Sequence, residues 1–417
     1  MQASISKSKL NGEVFISGAK NNSLRLLAAS LITSGKITIH NCPVSILDLQ
    51  IQIEMLKQLG KVVSIERNTV VIEENEKPKS ELVWNKPSIR NTLLILGCLL
   101  ARTGYGMVPL PGGCKLGERK YDIHFSIMER LGAKVWEDGN YLYAESRRRL
   151  KGTDITLPVR STGATENGIL MGCLAEGRTT IWNPHIRPEI IDMIGMLKSM
   201  GITIEINGQE SIVIYGVENL HTPVIHTCIP DNMEGLTFAV ATAITGGEVE
   251  IHNFPFSHLE VPLIYLRESG MRFYKSQDAN SLIVKQGNIY PIEIATGPYP
   301  SLNSDMQPLF AAFALFAKGI SKIIDLRFTG RYDYAKEFNK LGANTFVQGD
   351  LLVVCGSNKL SGAKTVAVDL RAGAALTLVG MGIDGITKID NFEQVLRGYD
   401  NFLYKLNNLG GNITVES

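Results

Sequence analysis

The sequence Met196-Leu197-Lys198-Ser199-Met200-Gly201 decides the fold, because close copies of it recur along the chain. The copies are Met55-Leu56-Lys57-Gln58-Leu59-Gly60, Met128-Glu129-Arg130-Leu131-Gly132, Leu266-Arg267-Glu268-Ser269-Gly270, Phe338-Asn339-Lys340-Leu341-Gly342 and Leu406-Asn407-Asn408-Leu409-Gly410. The final glycine is typical of a helix end, where it adopts the left-handed conformation. The copies are spaced by about seventy residues, which indicates six repeats of one supersecondary unit.

A second motif recurs in step with the first and predicts a helix end that runs into a strand. Its copies are GKITIHN at 35–41, GRTTIWN at 177–183, GEVEIHN at 247–253, GISKIID at 319–325 and GITKIDN at 385–391. In the remaining repeat, Gly106-Met107-Val108-Pro109-Leu110 stands at this position. Each repeat is therefore predicted to run as strand, loop, apolar helix, strand, amphipathic helix and further strands.

An apolar stretch precedes each strand motif and predicts the central helix of each repeat. In the first repeat, Leu24, Leu27, Ala28 and Leu31 follow the i, i+3, i+4, i+7 pattern of a helix face. Its counterparts lie at 93–100, 168–174, 236–243, 309–316 and 374–379. Because these helices are apolar on nearly every side, we expect them to be buried beneath sheets. The prediction is an α/β (α+β) protein with three repeats in each of two domains.

Composition and charge argue against nucleic-acid binding, membrane association, secretion and structural zinc. The formal net charge of +1 gives no indication of nucleic acid or a membrane surface as a partner. No apolar run reaches membrane-spanning length, and the first residues lack the apolar core of a signal peptide. The six cysteines form no Cys-x-x-Cys pair, which favours a reducing compartment and argues against structural zinc. We therefore expect a cytoplasmic protein.

The loops that enter the six apolar helices carry most of the candidate site residues. They are Ser17-Gly18-Ala19-Lys20-Asn21, Ser88-Ile89-Arg90-Asn91, Arg160-Ser161-Thr162-Gly163, Pro230-Asp231-Asn232-Met233-Glu234, Ser304-Asp305-Met306-Gln307 and Asp369-Leu370-Arg371. A helix N-terminus favours anions, and the lysine and arginines add full positive charge. Taken singly, the serine and the aspartates are also ordinary capping residues. Together, the six loops predict an anion-binding cleft between two domains.

A glycine-rich loop in the second repeat contains Cys114. The run Pro111-Gly112-Gly113-Cys114-Lys115-Leu116-Gly117-Glu118-Arg119 has no apolar periodicity and is predicted to be a surface loop. Nearby cations lower a thiol pKa and make it reactive, although a turn that merely contains a cysteine remains an alternative. Arg331 and Arg397 follow the strands of two other repeats at the equivalent position, which favours a substrate role over a solvated surface arginine.

The chain resembles the enolpyruvyl transferases along essentially its whole length, and within them the branch that acts on UDP-N-acetylglucosamine. The motifs that carry the resemblance are Gly18-Ala19-Lys20-Asn21, Pro111-Gly112-Gly113-Cys114 with Gly117 and Arg119, Gly163-Ala164-Thr165, Asp305-Met306-Gln307, Asp369-Leu370-Arg371-Ala372 and Arg397-Gly398-Tyr399. The resemblance implies two inside-out, barrel-like α/β domains with sheets outside buried parallel helices. The implied domains are 20–229, and 1–19 together with 230–417, with the active site in the cleft between them.

The resemblance also implies a reaction. The enolpyruvyl group of phosphoenolpyruvate is transferred to the 3-hydroxyl of UDP-N-acetylglucosamine by addition and elimination, and phosphate is released. No metal or organic cofactor takes part. The reaction is the first committed step of peptidoglycan synthesis, and so serves the cell wall, cell shape and cell division. The same resemblance implies that fosfomycin alkylates the loop cysteine.

Individual residues take their expected roles from the same resemblance. Cys114 is the acid that also takes part in product release, Asp305 is the general base, and Lys20 and Arg397 complete the catalytic set. Phosphoenolpyruvate is held by Lys20, Arg119 and Arg397, with support from Arg90, Arg331 and Arg371, and Asp369 is a supporting residue. The nucleotide sugar is expected to face Asn21, Arg90, Arg119, Lys120, Tyr121, Asp122, Ile123, His124, Arg160, Ser161, Thr162, Gly163, Asp305, Arg327 and Phe328.

Several positions depart from the family pattern, most of them on the acceptor side. They are Leu94, Lys120, Tyr121, Arg187, Asn232 and the run Phe328-Thr329-Gly330-Arg331. Enolpyruvyl transfer to a different nucleotide or to a secondary-metabolite sugar is therefore an alternative. Shikimate 3-phosphate is a less favoured acceptor, because the cysteine loop belongs to the sugar-nucleotide branch. A non-catalytic, ligand-sensing relative is a further alternative, and the presence of Lys20, Cys114, Asp305 and Arg397 argues against it.

Overall fold

Residues 1–112, 121–356 and 359–416 are described by the computed structural model. The contacts between residues divide the chain into two compact units. The inserted unit is Gly18–Ile229, and the terminal unit combines Met1–Ser17 with Pro230–Ser417. Each unit has its own cluster of buried apolar side chains, so each has a separate hydrophobic core.

The helices and strands follow the predicted order of each repeat. The chain begins with two strands of the terminal unit, β1 (Gln2–Ser6) and β2 (Asn11–Phe15). The inserted unit then contains α1 (Lys20–Ala29), β3 (Ile37–His40), α2 (Leu47–Gln58), β4 (Lys61–Glu66), β5 (Thr69–Glu74), α3 (Thr92–Thr103), β6 (Tyr105–Pro109), α4 (Asp122–Arg130), β7 (Lys134–Asp138), β8 (Tyr141–Glu145), β9 (Asp154–Thr156), α5 (Thr162–Gly172), β10 (Arg178–Trp182), α6 (Pro188–Ser199), β11 (Thr203–Asn207), β12 (Ser211–Tyr215) and β13 (Val224–Thr227).

The rest of the terminal unit repeats this order. It contains α7 (Asn232–Thr245), β14 (Glu248–His252), α8 (Glu260–Glu268), β15 (Arg272–Lys275), β16 (Ser281–Lys285), β17 (Glu293–Ala295), α9 (Gln307–Ala314), β18 (Ile320–Ile324), α10 (Asp333–Lys340), β19 (Asn344–Gln348), β20 (Leu351–Cys355), β21 (Lys364–Val366), α11 (Leu370–Gly382), β22 (Ile386–Asp390), α12 (Glu393–Leu396), α13 (Phe402–Asn408) and β23 (Asn412–Glu416). Short 3-10 turns lie at Ser30–Ile32 and Phe256–His258.

Each repeat contributes one small sheet. The strand orders are β13-β3-β5-β4, β6-β8-β7 and β11-β12-β10-β9 in the inserted unit, and β15-β16-β14-β2, β17-β18-β20-β19 and β21-β22-β1-β23 in the terminal unit. The strand after each buried helix pairs in parallel with a strand on one side, as in β9 with β10 and β17 with β18, and antiparallel with a strand on the other. In the second repeat the parallel partner shrinks to a single bridge between Glu81 and Met107.

Both repeated sequence motifs adopt the predicted backbone. The glycines that end the amphipathic helices all have φ between 86° and 102°; they are Gly60, Gly132, Gly201, Gly270, Gly342 and Gly410. The asparagines that end the strand motif have φ between 55° and 58°; they are Asn41, Asn183, Asn253 and Asn391. The sixfold repeat is therefore a repeat of backbone conformation as well as of sequence.

The central helices are buried within their units, as predicted. Nearly every side chain of α3, α5, α7, α9 and α11 is buried, whereas strands such as β4 and β9 alternate between buried and exposed side chains. Within the inserted unit α3 packs against α1 and α5, and within the terminal unit α11 packs against α7 and α9. Sheets with one exposed face thus surround the helices, and the predicted α/β class with helices inside is confirmed. In the described ranges, no helix has the length and apolar character needed to cross a membrane.

The contact between α3 and α5 leaves no space for a side chain at Gly97. A Cβ atom there would lie 1.9 Å from Oδ1 of Asn167, which is fully buried. We therefore expect Gly97→Ala to lower the free energy of unfolding by about 1–3 kcal/mol, measured by chemical denaturation. The control is Gly195→Ala on α6, where a Cβ would meet no atom within 4 Å and alanine is expected to stabilise by about 0.5–1 kcal/mol. Equal stability of Gly97→Ala and wild type would contradict this packing.

Candidate active site

Lys20 is held at the start of the first buried helix. It is the first residue of α1 and only 7% exposed, and its Nζ lies 2.6 Å from Oδ2 of Asp48 in the first turn of α2. The next residue, Asn21, accepts a hydrogen bond from Arg25 through its backbone carbonyl. The buried ion pair fixes the Lys20 ammonium beside a helix N-terminus, the position that favours an anionic ligand. Asp48 was not among the predicted site residues.

Side-chain contacts connect the N-terminal ends of the three buried helices in the inserted unit. Asn91, just before α3, donates hydrogen bonds to the Leu24 carbonyl of α1 at 2.9 Å and to Oε1 of Gln52 of α2 at 2.7 Å. Arg25 of α1 pairs with Glu166 of α5 at 2.6 Å. These contacts connect the N-terminal parts of α1, α3 and α5 within this unit, whereas the cleft formed by all six entry loops stays a prediction.

The loop before α5 combines capping with side-chain contacts. Ser161 is the N-cap, and its hydroxyl accepts a hydrogen bond from the Ala164 amide at 3.4 Å, so its capping interpretation is confirmed. Arg160 donates from Nε to Oδ1 of Asn183 at 3.2 Å, which holds the arginine against the end of β10. Thr162 Oγ1 lies 2.8 Å from Nδ1 of His185.

The segment that starts α4 carries the predicted residues 121–124. Asp122 is exposed, Ile123 is half-buried, and the Tyr121 hydroxyl donates to Glu137. His124 is buried, and a Cβ on Gly163 would lie 3.2 Å from its Cε1, so the ring packs against the first turn of α5. Burial lowers the pKa of His124 to about 3, and the Arg90 charge acts in the same direction. His124 is therefore neutral at physiological pH.

A second charged cluster lies beside α5 and includes the departure at Arg187. The Arg187 guanidinium binds both carboxylate oxygens of Glu189, at 2.6 and 2.7 Å. Although burial acts to raise it, the pKa of Glu189 is lowered, chiefly by the charge of Arg187. Burial raises the pKa of Glu166, against the charges of Arg25 and Arg187. Arg187 is thus satisfied by an internal bidentate pair.

The centre of the terminal unit's site is Arg331. Its Nη1 donates to Oδ1 of Asp305 at 2.8 Å, and its Nη2 lies 3.2 Å from Oδ2 of Asp369. Asp369 caps α11 through its other oxygen, which accepts from the amides of Arg371 and Ala372 at 2.7 and 2.8 Å. The N-cap of α9 is Met306, so Asp305 lies before the cap and its carboxylate is oriented by an arginine.

Arg371 has hydrogen-bonding capacity to spare. It is 2% exposed, and neither its Nε nor its Nη1 has a hydrogen-bond partner within the described ranges. Its Cζ lies 5.0 Å from the Tyr399 ring, and its Nε lies 3.9 Å from Oδ2 of Asp305. A buried guanidinium with unused donors next to a helix N-terminus is suited to bind a carboxylate or phosphate.

Arg327, Phe328 and Arg397 complete the predicted set. The Phe328 ring lies 5.8 Å from the Cζ of Arg327, whose side chain is exposed, and 5.9 Å from the Cζ of Arg331. Arg397 is half-buried at the end of α12 and donates from Nη1 to Oε1 of Gln394 at 3.4 Å. Cys114, Arg119 and Lys120 lie outside the described residues.

Asp325 is a structural residue of this site that the sequence analysis did not identify. It is fully buried, and its Oδ1 accepts from the amides of Arg327 and Phe328, both at 2.9 Å, and from the Thr296 hydroxyl at 2.8 Å. It occupies the position held by a left-handed asparagine in four other repeats, such as Asn41. The replacement of asparagine by aspartate at this position of the repeat was the sequence signal that could have identified Asp325. The aspartate builds a different loop here, and that loop presents the cluster around Arg331.

Asn232 and Leu94, two further departures from the family pattern, lie at buried positions. Asn232 is the first residue of α7 and is 7% exposed, next to the cap Asp231, whose Oδ1 accepts from the Met233 amide at 2.8 Å. Leu94 is a buried core residue of α3. Within the described ranges, no group of histidine, cysteine, aspartate and glutamate side chains is arranged to hold a metal ion.

Comparisons with known proteins agree with this arrangement. Residues 5–406 match the family described as EPSP synthase (3-phosphoshikimate 1-carboxyvinyltransferase). The chain is 38% identical to UDP-N-acetylglucosamine 1-carboxyvinyltransferase 2 of Carboxydothermus hydrogenoformans, over 98% of this chain and 97% of that protein. It is also 38% identical to the protein of the same name from Bacillus subtilis, over 97% of this chain and 94% of that protein.

Solved structures give the same result for the fold. The enolpyruvyl transferase NikO from Streptomyces tendae is similar with a TM-score of 0.89 and 25% identity, over 99% of this chain and 98% of that one. EPSP synthase from Acinetobacter baumannii has the same fold, with a TM-score of 0.76 at 18% identity over 100% of both chains. Family match, full-length relatives and fold agree, and the chain therefore belongs to the EPSP synthase family and is an enolpyruvyl transferase, that is, a carboxyvinyltransferase.

Proposed function

We propose that the protein transfers the enolpyruvyl group of phosphoenolpyruvate to the 3-hydroxyl of UDP-N-acetylglucosamine, releasing phosphate. The observation that carries this proposal is the 38% identity, over 98% of the chain, to a protein named for that activity. The reaction would be the first committed step of peptidoglycan synthesis. Because both substrates are intracellular metabolites, the proposed location is the cytoplasm. We also propose that fosfomycin inhibits the enzyme by alkylating Cys114.

In the proposed reaction, Asp305 accepts the proton of the sugar hydroxyl as its oxygen bonds to C2 of phosphoenolpyruvate. C3 gains a proton in the same addition, and Cys114 supplies it. The bond between C2 and the phosphate oxygen then breaks, C3 loses a proton, and the double bond returns. The ion pair with Arg331 supports this role for Asp305, because it holds the carboxylate in one orientation.

Phosphoenolpyruvate needs cations for its phosphate and its carboxylate. We assign these to Lys20, Arg119 and Arg397, with Arg90, Arg331 and Arg371 in support. The unused donors of Arg371 support this assignment, because a buried guanidinium without full hydrogen bonding is costly unless a ligand completes it. These residues come from both units, and we propose that they act on one pair of substrates.

The nucleotide sugar is assigned to the residues around the start of α5 and to Phe328. Helix N-termini favour phosphate groups, and Arg160 and the Ser161 cap stand at this one. Next to it lie His124 and the segment with Tyr121, Asp122 and Ile123. Phe328 offers an aromatic face for a base or sugar, although two arginines already flank it.

A second candidate is the same transfer to another nucleotide or to a secondary-metabolite sugar. The observation that favours it is the similarity to NikO, at a TM-score of 0.89, together with the departures on the acceptor side. Arg327 adds an exposed cation there, and Lys120 and Tyr121 differ from the family pattern. This candidate keeps the phosphoenolpyruvate chemistry unchanged.

Phosphate release from phosphoenolpyruvate, followed with UDP-N-acetylglucosamine as the sole acceptor, tests the first candidate. We expect turnover and a product that gains one enolpyruvyl group by mass spectrometry. The matched control is an analogue of the acceptor that lacks the 3-hydroxyl, which should release no phosphate. If UDP-N-acetylglucosamine gives no turnover, but another nucleotide or sugar does, the first candidate is wrong and the second is supported.

A further inference from the structure

A buried asparagine connects three helices behind the proposed acceptor site. Asn167 lies on α5 and is fully buried. Its Nδ2 lies 3.1 Å from the Leu93 carbonyl oxygen of α3 and 3.0 Å from Nδ1 of His124 on α4. The carbonyl can only accept, so the amide atom beside it must be the nitrogen. Because this nitrogen carries two hydrogens, it can donate one to the carbonyl and one to the imidazole.

This contact determines where His124 carries its proton. A ring nitrogen that accepts a hydrogen bond is unprotonated, so the single proton of the neutral ring must lie on Nε2. The Nε2 edge of the ring faces the first turn of α5, since a Cβ on Gly163 would lie 3.3 Å from Nε2. This turn belongs to the loop assigned to the nucleotide sugar.

Several features keep the ring neutral. His124 is 6% exposed, and the charged groups that act on it are Arg90, which disfavours the imidazolium, and Asp122, which favours it. Burial and Arg90 together outweigh Asp122, so the pKa is lowered. The positive end of the α5 dipole opposes a second positive charge at the same place. A neutral ring with a defined tautomer is a directional hydrogen-bond donor.

We infer that Asn167 is a positioning residue that holds His124 in the neutral tautomer protonated on Nε2, so that His124 donates a hydrogen bond to the acceptor substrate. The last clause rests on the proposed function, which places the nucleotide sugar at the start of α5. The tautomer itself does not depend on the identity of the acceptor. Two experiments therefore separate the two parts.

The first experiment reads the tautomer of the free protein by 15N-edited NMR of the histidine side chains. The chain has seven histidines, and loss of one signal set in His124→Gln identifies the relevant ring. We expect the pattern of a neutral ring protonated on Nε2, unchanged from pH ~8 to pH ~5. A ring protonated on Nδ1, or one that titrates in this range, would overturn the inference whatever the acceptor is.

The second experiment uses Asn167→Asp, which keeps the shape of the side chain but replaces the donor with an acceptor. A carboxylate beside Nδ1 takes a hydrogen bond from the ring and favours the imidazolium, so His124 should now titrate near neutral pH. An imidazolium still donates from Nε2, so the loss appears only at pH ~9, where the variant ring is neutral and the carboxylate holds its proton on Nδ1. At that pH we expect KM for UDP-N-acetylglucosamine to rise about tenfold, the value of one hydrogen bond, while KM for phosphoenolpyruvate changes by less than about twofold.

The matched control is Ile169→Ala, also fully buried on α5. It should lower the melting temperature without changing the histidine spectrum or the KM for the acceptor. If Asn167→Asp leaves the KM for the acceptor unchanged at pH ~9, the donor role of His124 is refuted. If Asn167→Asp does not fold, the wild-type spectrum still decides the tautomer. The donor role is then tested by adding UDP-N-acetylglucosamine to the wild-type protein, which should shift the Nε2 resonance of His124. If the protein turns this acceptor over but the resonance does not shift, the donor role is refuted. Absence of turnover in wild type would instead count against the proposed function.

Discussion

Replacing Asp305 with alanine is expected to lower kcat by at least about a thousandfold, the upper part of the range for loss of a general base. The Asp305 side chain is 27% exposed, so a substrate can reach its carboxylate. Nη1 of Arg331 lies 2.8 Å from its Oδ1 and Nε of Arg371 lies 3.9 Å from its Oδ2, so the carboxylate is also held in one orientation. Arg331 keeps its second partner, Asp369, in the variant. We therefore expect little loss of stability, and the effect should fall on catalysis. Steady-state kinetics with saturating phosphoenolpyruvate measure it.

Two further variants make this test specific. Asp305→Asn keeps the shape but cannot accept a proton in the same way, so its kcat should fall nearly as far as that of the alanine variant. Asp333→Ala removes an aspartate in the same repeat that is 72% exposed and paired with a surface lysine, and its kcat should remain at the wild-type value. If Asp305→Ala retains more than about a tenth of wild-type kcat, Asp305 is not the general base.

Replacing Arg331 with methionine should destabilise the terminal unit by about 3–5 kcal/mol, because it removes the cation from the buried Asp369 carboxylate and the nearer of two cations from the partly exposed Asp305 carboxylate. The Arg331 side chain is 8% exposed and bridges Asp305 and Asp369. Burial opposes its charge, but the two carboxylates raise the pKa of Arg331 above its ordinary value, so the guanidinium is charged at every accessible pH. Chemical denaturation measures the loss of stability, and activity should disappear with it.

A double substitution separates the pairing from the packing. Adding Asp305→Asn to Arg331→Met removes the carboxylate that has lost its nearer cation and should recover part of the lost stability, which a double-mutant cycle quantifies. The matched surface control is Arg178→Met, whose ion pair with Asp154 is 59% exposed on the arginine side and should cost less than about 1 kcal/mol. A cost for Arg331→Met as small as that of the control would contradict the bridging role.

The sequence predicts the repeat and the buried helices well, for a physical reason. A helix that ends in a left-handed glycine and a strand that ends in a left-handed asparagine are local structures, and local residues specify them. Six copies then reinforce one another, so that Gly60 and Gly410 can be interpreted together although they lie at opposite ends of the chain. The capping role of Ser161 could be predicted for the same reason, because a helix cap is also a local structure.

The partners of the site residues could not be predicted in this way. Lys20 pairs with Asp48 in a different helix, and Arg25 pairs with Glu166, 141 residues away along the chain. Such pairs depend on how helices pack, and no local pattern specifies them. Capping was one interpretation of Asp305, but only the fold brings Arg331 to its carboxylate. The assignment of Cys114, Arg119 and Lys120 stays a prediction, because these residues lie outside the described ranges.

The position of β1 has a consequence for the order in which the protein forms during synthesis. β1 precedes the inserted unit in the chain, yet it lies between β22 and β23, so its sheet cannot assemble until β23 has been synthesised. The inserted unit has a complete core of its own and can fold while the chain is still being translated. Met1–Ser17 must wait without its sheet partners meanwhile, and this makes it a segment of the nascent chain that chaperones would have to protect.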